Sequence, residues 1–507
     1  MRGERSCGAL FLGLDVGTQG TKGLLLDAEA DAGRGRVVAR ASRAYDLLPG
    51  LPPGAAEQHP DTWIDAVRAV AHELLAADGV RAEAVVGVGV SGQQHGLVAL
   101  DADDRVVRPA KLWCDTSTAD EARALSGMLG RHVPAGFTAS KVLWLARHEP
   151  DHWARTVRVL LPHDYINLAL TGEATAEAGD ASGTGWFDVA GRRWDEGAAV
   201  MIDDRLPDRL PRLVAAGEPA GVLHAAGAEL LGLRPGVTVS TGGGDNMCAA
   251  IGSGATRPGV VVLSLGTSGT AFTYADRPVL DPAGLIAGFC DSTGGWLPLL
   301  CVMNLTGVTE EVAAAFGRDG APADLDALTR AAAEVPPGCD GLTWLPYLQG
   351  ERVPDLPEAS GTLLGLRPGL LRPGVLFRAA MEGTSLNLAW GLQRMAGLGV
   401  RPSEVRLVGG AAANPLWRSI LADTLGVPVR RLAEGESAAL GAALLACWTV
   451  RRAAGEDVGA DAVAAAVVRP ADDVEAPDPG RRALYAELRE AFIEQVGRRH
   501  DLRGHSR

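Results

Sequence analysis

Two short segments of the chain repeat one another. "LGLDVGTQGTKGLLLDA" (12–28) is echoed by "LSLGTSGTAFTYAD" (263–276), so that Gly17, Thr18, Gly20 and Thr21 match Gly266, Thr267, Gly269 and Thr270. Each copy reads as strand, G-T-x-G-T turn, strand. One copy is equally well an ordinary hairpin whose glycines adopt positive φ. Two copies about half a chain apart imply a duplicated domain. The copies differ at one telling position, because Asp15 of the first stands where Ser264 stands in the second. Such a turn exposes backbone N–H groups and hydroxyls around a bend, a nest suited to phosphate oxygens. Two nests with a single carboxylate between them suggest one nucleotide gripped from both sides, with the chemistry on one side.

The rest of the chain alternates strand-like and helix-like patterns. Apolar runs at 9–16, 23–28, 84–90, 96–101, 260–266 and 405–410 read as strands, and 60–77, 374–395 and 414–426 carry helical spacing. This alternation predicts an α/β protein. The expected division is 8–252 for a first domain, 253–450 for a second, and 451–507 for a peripheral tail, whose charged, proline-rich start carries no catalytic pattern.

The stretch "GGGDNMCAAIGSG" (242–254) puts Asp245 behind three glycines and beside Asn246. An aspartate there could cap the following helix, hold a metal or take a proton; the cap is the simplest of the three. Asp15, at the end of a buried strand, could hold Mg²⁺ through water, since that ion keeps several waters. Lys22 follows the first turn as a point charge. Other patterns fail. "GVGVSG" (87–92) matches a dinucleotide loop, but no crossover helix separates the runs around it. Neither a P-loop nor a G-x-S-x-G elbow occurs.

Composition narrows the classes further. A formal charge of −14 without a basic cluster argues against a nucleic-acid partner. Seven scattered cysteines, Cys7 among them, with no C-x-x-C pair, indicate neither zinc nor disulfides and suit reduced thiols. The charged, apolar N-terminus mimics a signal peptide but is interrupted by Asp15 and reads better as a strand. No membrane span is expected. A soluble, cytoplasmic protein follows, with a homodimer left open.

Several of these segments together resemble the FGGY family of carbohydrate kinases, and within it the xylulokinases. The resemblance runs from about Leu12 to about Ala446. It rests on "GLDVGTQGTK", "SGQQHGLVALD" (91–101), "LWCDTST" (112–118), "GFTASKVLWLARHEP" (136–150), "GGGDNMCAAIGSG", "VVLSLGTSGT", "GTLLGLRPGLLRPGVLFRAAMEG" (361–383) and "VGGAAANPLWRSILADTLGVPV" (408–429). Val375 departs from the family pattern, where a polar residue is usual.

The resemblance implies two ribonuclease-H-like (actin-like) domains around a cleft, and phosphorylation of D-xylulose to D-xylulose 5-phosphate by ATP with Mg²⁺. It implies Asp245 as general base and Asp15 beside the metal. Gln94, His95, Asp245 and Asn246 would bind the sugar. Thr18, Gln19 and Lys22 from one domain, and Thr267, Gly307, Gly410, Ala411 and Asn414 from the other, would bind the nucleotide. Trp113 reads equally as a sugar-stacking face or as core. Asp115 reads as a turn residue, and Arg352 is left unassigned.

Overall fold

The computed structural model describes residues 8–501. Cys7 lies outside them. Two mixed sheets dominate. The first contains β1 (Leu10–Val16), β2 (Gly20–Asp27), β3 (Arg36–Ala44), β4 (Val85–Gly92), β5 (Pro219–Val222) and β6 (Thr238–Ser240), in the order β5-β6-β4-β1-β2-β3. The second contains β7 (Val260–Leu265), β8 (Gly269–Thr273), β9 (Ala287–Cys290), β10 (Trp296–Val302), β11 (Glu404–Val408), β12 (Val429–Leu432) and β13 (Pro470–Glu475), in the order β9-β10-β8-β7-β11-β12-β13.

The sheets share one plan. In each, the strand before the G-T-x-G-T turn pairs antiparallel with the strand after it and parallel with a later strand on its other side. This is the duplication expected from the repeat, in the ribonuclease-H-like arrangement that the family resemblance implies. The turns are not identical: Val16 pairs with Thr21, whereas Leu265 pairs with Gly269, so the second turn closes one residue earlier. The expected strand at 96–101 shrinks to Val98–Leu100 and pairs with Arg158–Leu160 outside the main sheet.

The principal helices are α1 (Pro60–Leu75), α2 (Thr138–His148), α3 (Pro162–Thr171), α4 (Asp245–Gly252), α5 (Thr306–Ala315), α6 (Pro373–Gly397), α7 (Pro415–Leu425), α8 (Ser437–Ala453) and α9 (Pro479–His500). Helix α1 starts at a His59 side chain that accepts from Asp61 N, with Pro60 in the first turn. Its apolar residues at three- and four-residue spacing, Trp63, Val67, Val70 and Leu74, bury against Leu12, Leu14 and Leu25 of the first sheet. Full burial of each such aliphatic side chain is worth about 1.5–3 kcal/mol.

Helix α8 lies across the opposite face of that sheet together with α4. The approach is close because strand glycines face it: a Cβ on Gly13 would sit 2.0 Å from the Ala439 carbonyl oxygen, and one on Gly89 would sit 1.9 Å from that of Ala442. A single methyl group at either position would push the helix off the sheet.

The expectation of a peripheral tail is corrected by this packing. Segment 470–475 is the edge strand β13 of the second sheet. Helix α9 buries Tyr485, Phe492 and Val496 in the core of the second domain. There Tyr485 donates to Glu382 of α6 at 2.8 Å, and Arg378 Nε donates to the same carboxylate oxygen at 2.7 Å. Among the described residues no helix is long and apolar enough to cross a membrane, and all six cysteines are free thiols.

Candidate active site

The sheet topology brings Asp15 and Asp245 to one place. Asp15, next to last in β1, lies opposite Ser91 of the parallel β4, whose hydroxyl donates to Asp15 Oδ1 at 2.8 Å. The next two residues along that edge are supplied from a distance: Gly243 and Gly244 pair with Ser91 and Gly92. Asp245 therefore emerges beside Asp15.

The glycines ahead of it are required by crowding. Gly242 has φ +67°, and a Cβ on it would meet the Val90 carbonyl oxygen at 2.0 Å. A Cβ on Gly244 would lie 2.7 Å from the Gln94 side chain.

Asp245 is not the cap of α4. Gly244 occupies the N-cap position, and Asp245 is the first helical residue. Its Oδ1 accepts from Asn246 N at 2.7 Å and from Asn246 Nδ2 at 2.9 Å. Oδ2 accepts no hydrogen bond from the described residues. Burial, followed by the negative charge of Asp15, pushes the Asp245 carboxyl up to about 7. Burial likewise pushes Asp15 up to about 6, against the Ser91 hydrogen bond and the Lys22 charge. A carboxylate with one anchored oxygen, one free oxygen and a pKa near neutrality has the properties of a general base.

Residues of the 91–101 segment gather around it. Gln94 is buried, and its Oε1 accepts from Asn246 Nδ2 at 2.9 Å. His95 sits at φ +65°, a region tolerated by His and Asn more than by most residues. Its ring packs between Phe137 and Phe289, at centroid distances of 5.1 and 5.8 Å, so both domains wall it in. Burial, then the charges of Lys141 and Arg352, hold the imidazole down at about 3. It stays neutral, and its Nδ1 makes no hydrogen bond among the described residues.

Trp113 is 45% exposed, which removes the core reading, and its indole N–H donates to Thr18 Oγ1 at 2.9 Å. Asp115 is fully buried and holds its own turn, accepting from Ala56 N, Ser117 N and Lys111 Nζ.

Both G-T-x-G-T turns leave adjacent N–H groups free. Those of Thr18 and Gln19 in the first, and of Thr267 and Ser268 in the second, make no hydrogen bond within the described protein. The Thr18 hydroxyl is committed, donating to Gln93 Oε1 at 3.0 Å while accepting from Trp113, so an anion would meet backbone here. Gln19 is exposed, and Lys22 Nζ lies 3.0 Å from Glu436.

Thr267 and Gly307 line one cavity of about 610 Å³, with Val308, Phe316, Trp344 and Leu376 as apolar walls. Gly410, Ala411 and Asn414 are not among its lining residues. Gly409 packs on the Leu265 carbonyl oxygen, which sets Gly410 beside the second turn. The Asn414 side chain caps α7 through Trp417 N at 3.1 Å and donates to Thr329 Oγ1 at 2.9 Å.

The donor set fits a hard divalent cation held loosely. Two carboxylates, each raised in pKa by burial, lie close enough for the charge of Asp15 to act on Asp245, and Lys22 offsets part of the effect at Asp15. Among the described residues no group of three or more His, Cys, Asp or Glu could cage a metal. Mg²⁺ is held in this manner, by one or two carboxylates plus phosphate oxygens and water.

Three supports escaped sequence reasoning. Ser91 anchors Asp15. Lys141, fully buried and pushed down to about 7 by burial, donates to the carbonyls of Ala135, Gly136 and Phe137, pinning the loop that carries Phe137 to His95. Glu351 accepts from Met303 N at 2.7 Å, from Arg352 N at 2.7 Å and from Asn304 Nδ2 at 3.2 Å, tying the Arg352 loop to the rim of the cavity. Lys141 and Ser91 fall inside segments that carry the family resemblance, and Glu351 falls in the proline-punctuated stretch 345–361 beside Arg352.

Comparison with known proteins agrees with this geometry. The family model described as the FGGY family of carbohydrate kinases, N-terminal domain, matches residues 10–252, and the corresponding C-terminal model matches residues 261–450. A xylulose kinase of Haemophilus influenzae is 39% identical over 455 residues, covering 87% of this chain and 90% of the relative. One from Streptomyces coelicolor is 40% identical over 472 residues, 90% of each. The crystal structure of a xylulose kinase from Rhodospirillum rubrum superposes with a TM-score of 0.86 at 30% identity, covering 97% of this chain and 99% of that one. Two G-T-x-G-T turns on duplicated sheets, one acidic pair beside the first of them and two family models that together span residues 10–252 and 261–450 lead to one conclusion: the chain belongs to the FGGY family of carbohydrate kinases.

Proposed function

We propose that the protein transfers the γ-phosphoryl group of ATP to D-xylulose, giving D-xylulose 5-phosphate, with Asp245 as general base. The observation that carries this reading is the Asp245 carboxylate, with Oδ1 anchored by Asn246 and Oδ2 left open beside the sugar loop. Oδ2 takes the proton of the attacking hydroxyl. Gln94, neutral His95 and Asn246 hold the sugar. The free N–H groups of the first turn, at Thr18 and Gln19, grip the phosphates from one domain, with Lys22 as a charge at the turn's edge. Thr267 grips them from the other, while Gly307, Gly410, Ala411 and Asn414 border the ribose and adenine. Asp15 would hold Mg²⁺, through water, and the ion would supply charge neutralisation for the transferring group.

Residues 8–252 thus bear the sugar, the base and one grip on the phosphates, and 253–450 bear the rest of the nucleotide site. Similarity to xylulose kinases over most of the chain supports the choice of sugar. Unpaired thiols support a reducing, cytoplasmic setting.

The test is ADP release with Mg²⁺-ATP against a panel of D-xylulose, D-ribulose, L-fuculose, gluconate and glycerol. Highest kcat/KM on D-xylulose is expected. Preference for another member, or ATP turnover indifferent to all of them, overturns the reading.

A further inference from the structure

Behind Gln94 and Asn246 lies a buried ionisable cluster that the proposed chemistry does not use. His163, Asp164, Glu177 and Asp180 are each 3% exposed or less. His163 comes from α3 and Asp180 from the short helix Ala178–Ala181. Close approach is possible because Gly92 has no side chain; a Cβ there would lie 2.8 Å from His163 Cβ.

Two of the carboxylates have local duties. Glu177 accepts from Gly179 N and Asp180 N, at 2.7 and 2.6 Å. Asp164 Oδ2 accepts from Leu161 N at 3.0 Å. Asp180 is different. Its Oδ2 lies 2.6 Å from His163 Nδ1, and its Oδ1 makes no hydrogen bond among the described residues. Gln94 Nε2 is a buried donor that makes no hydrogen bond among the described residues. The two groups are neighbours: the Gln94 amide favours the ionised form of Asp180, against the larger effect of burial.

A glutamine amide has two ends of opposite character. Gln94 Oε1 accepts from Asn246 Nδ2, so Nε2 must face the other way, toward Asp180. Reversal would set N–H₂ against N–H₂ at Asn246 and a carbonyl against the carboxylate. With Gln94 fixed, Asn246 Nδ2 is spent on Gln94 Oε1 and Asp245 Oδ1, and Asn246 Oδ1 remains as the free acceptor of that amide.

We propose that the buried His163–Asp180 pair is a positioning device. It orients the Gln94 amide, and through Asn246 it makes the site present an acceptor oxygen and the free Asp245 oxygen to the hydroxyls of the sugar. The proposal rests on the sugar-kinase reading above.

A double-mutant cycle tests it, with sugar KM and ATP KM as separate readouts. Asp180→Ala should raise the sugar KM at least tenfold and leave the ATP KM within twofold. Asp180→Asn, which retains an acceptor oxygen for Gln94, should recover most of the loss. In the Gln94→Ala background, Asp180→Ala should add less than twofold, because the residue it acts through is gone. Additive effects, or an unchanged sugar KM in Asp180→Ala, overturn the proposal. The same cycle with His163→Ala serves where Asp180→Ala gives no folded protein. Wild-type turnover on the sugar panel is measured first. No ketose turnover removes the underlying reading and the proposal with it; ketose turnover with an additive cycle removes the proposal alone.

Discussion

Asn246 holds one oxygen of Asp245 through two hydrogen bonds, from its backbone N at 2.7 Å and its side chain at 2.9 Å, and leaves the other oxygen open. A base must be both oriented and accessible, and this pair provides both. The arrangement also removes the simpler explanation of the aspartate, because the N-cap position belongs to Gly244.

A pH dependence follows. Asp245 must be ionised to accept a proton, and its carboxyl is pushed up to about 7 by burial and Asp15. Sugar kcat/KM should therefore fall as pH drops through about 7. Stability moves the opposite way. A carboxyl whose folded pKa exceeds its ordinary value of 3.8 binds its proton more tightly when folded, so its contribution is complete below 3.8 and is lost as pH rises through 7. Asp245→Asn should melt higher than wild type at pH 8, and the difference should shrink by pH 5. Calorimetric scans at the two values check this.

Asp15→Asn carries two signed expectations. More Mg²⁺ should be needed for half-maximal rate, while sugar affinity stays within twofold. With the neighbouring charge removed, the acid limb of the pH profile should move to lower pH, because Asp15 raises Asp245. Metal titration and a pH profile of the variant give both numbers. A collapse of sugar affinity with unchanged metal demand would put Asp15 on the wrong ligand.

His95→Asn keeps a residue type compatible with φ +65° and removes the neutral imidazole from its aromatic wall. A buried hydrogen bond left unmade costs about 1–3 kcal/mol, so the sugar KM should rise by roughly 5- to 150-fold. Nucleotide affinity measured calorimetrically without sugar should not move. Equal losses in both would make His95 structural.

The C-terminal helix offers a test of the fold alone. Tyr485→Phe leaves the buried Glu382 oxygen short of a donor, at a cost of about 1–3 kcal/mol. Chemical denaturation should show that loss, and turnover at 25 °C should stay near wild type.

Much of this was legible in the chain. The repeat gave both sheets, because a strand–turn–strand unit with glycines in fixed places is a local signal. Asp15 and Asp245 were legible for the same reason. The His163–Asp180 pair and the Glu351 knot were not, since each joins segments that are distant in sequence, and no periodicity records such a meeting. The tail was misread for a different reason. Its charged composition masked Tyr485, Phe492 and Val496, which lie seven and four residues apart and form one helical stripe. The polar strand at 470–475 shows no apolar alternation because it is a sheet edge.

The most direct test of the account is the steady-state turnover of purified Asp245→Asn with D-xylulose and Mg²⁺-ATP. Asparagine keeps the size of the side chain and an oxygen for the Asn246 donors, and it removes the ability to take a proton. General-base catalysis is worth about 10²–10⁴-fold, and positioning leaves a residue of activity. The account predicts a fall in kcat of at least about 10²-fold in a fully folded protein. Near-normal turnover would contradict it and would move the base to another residue.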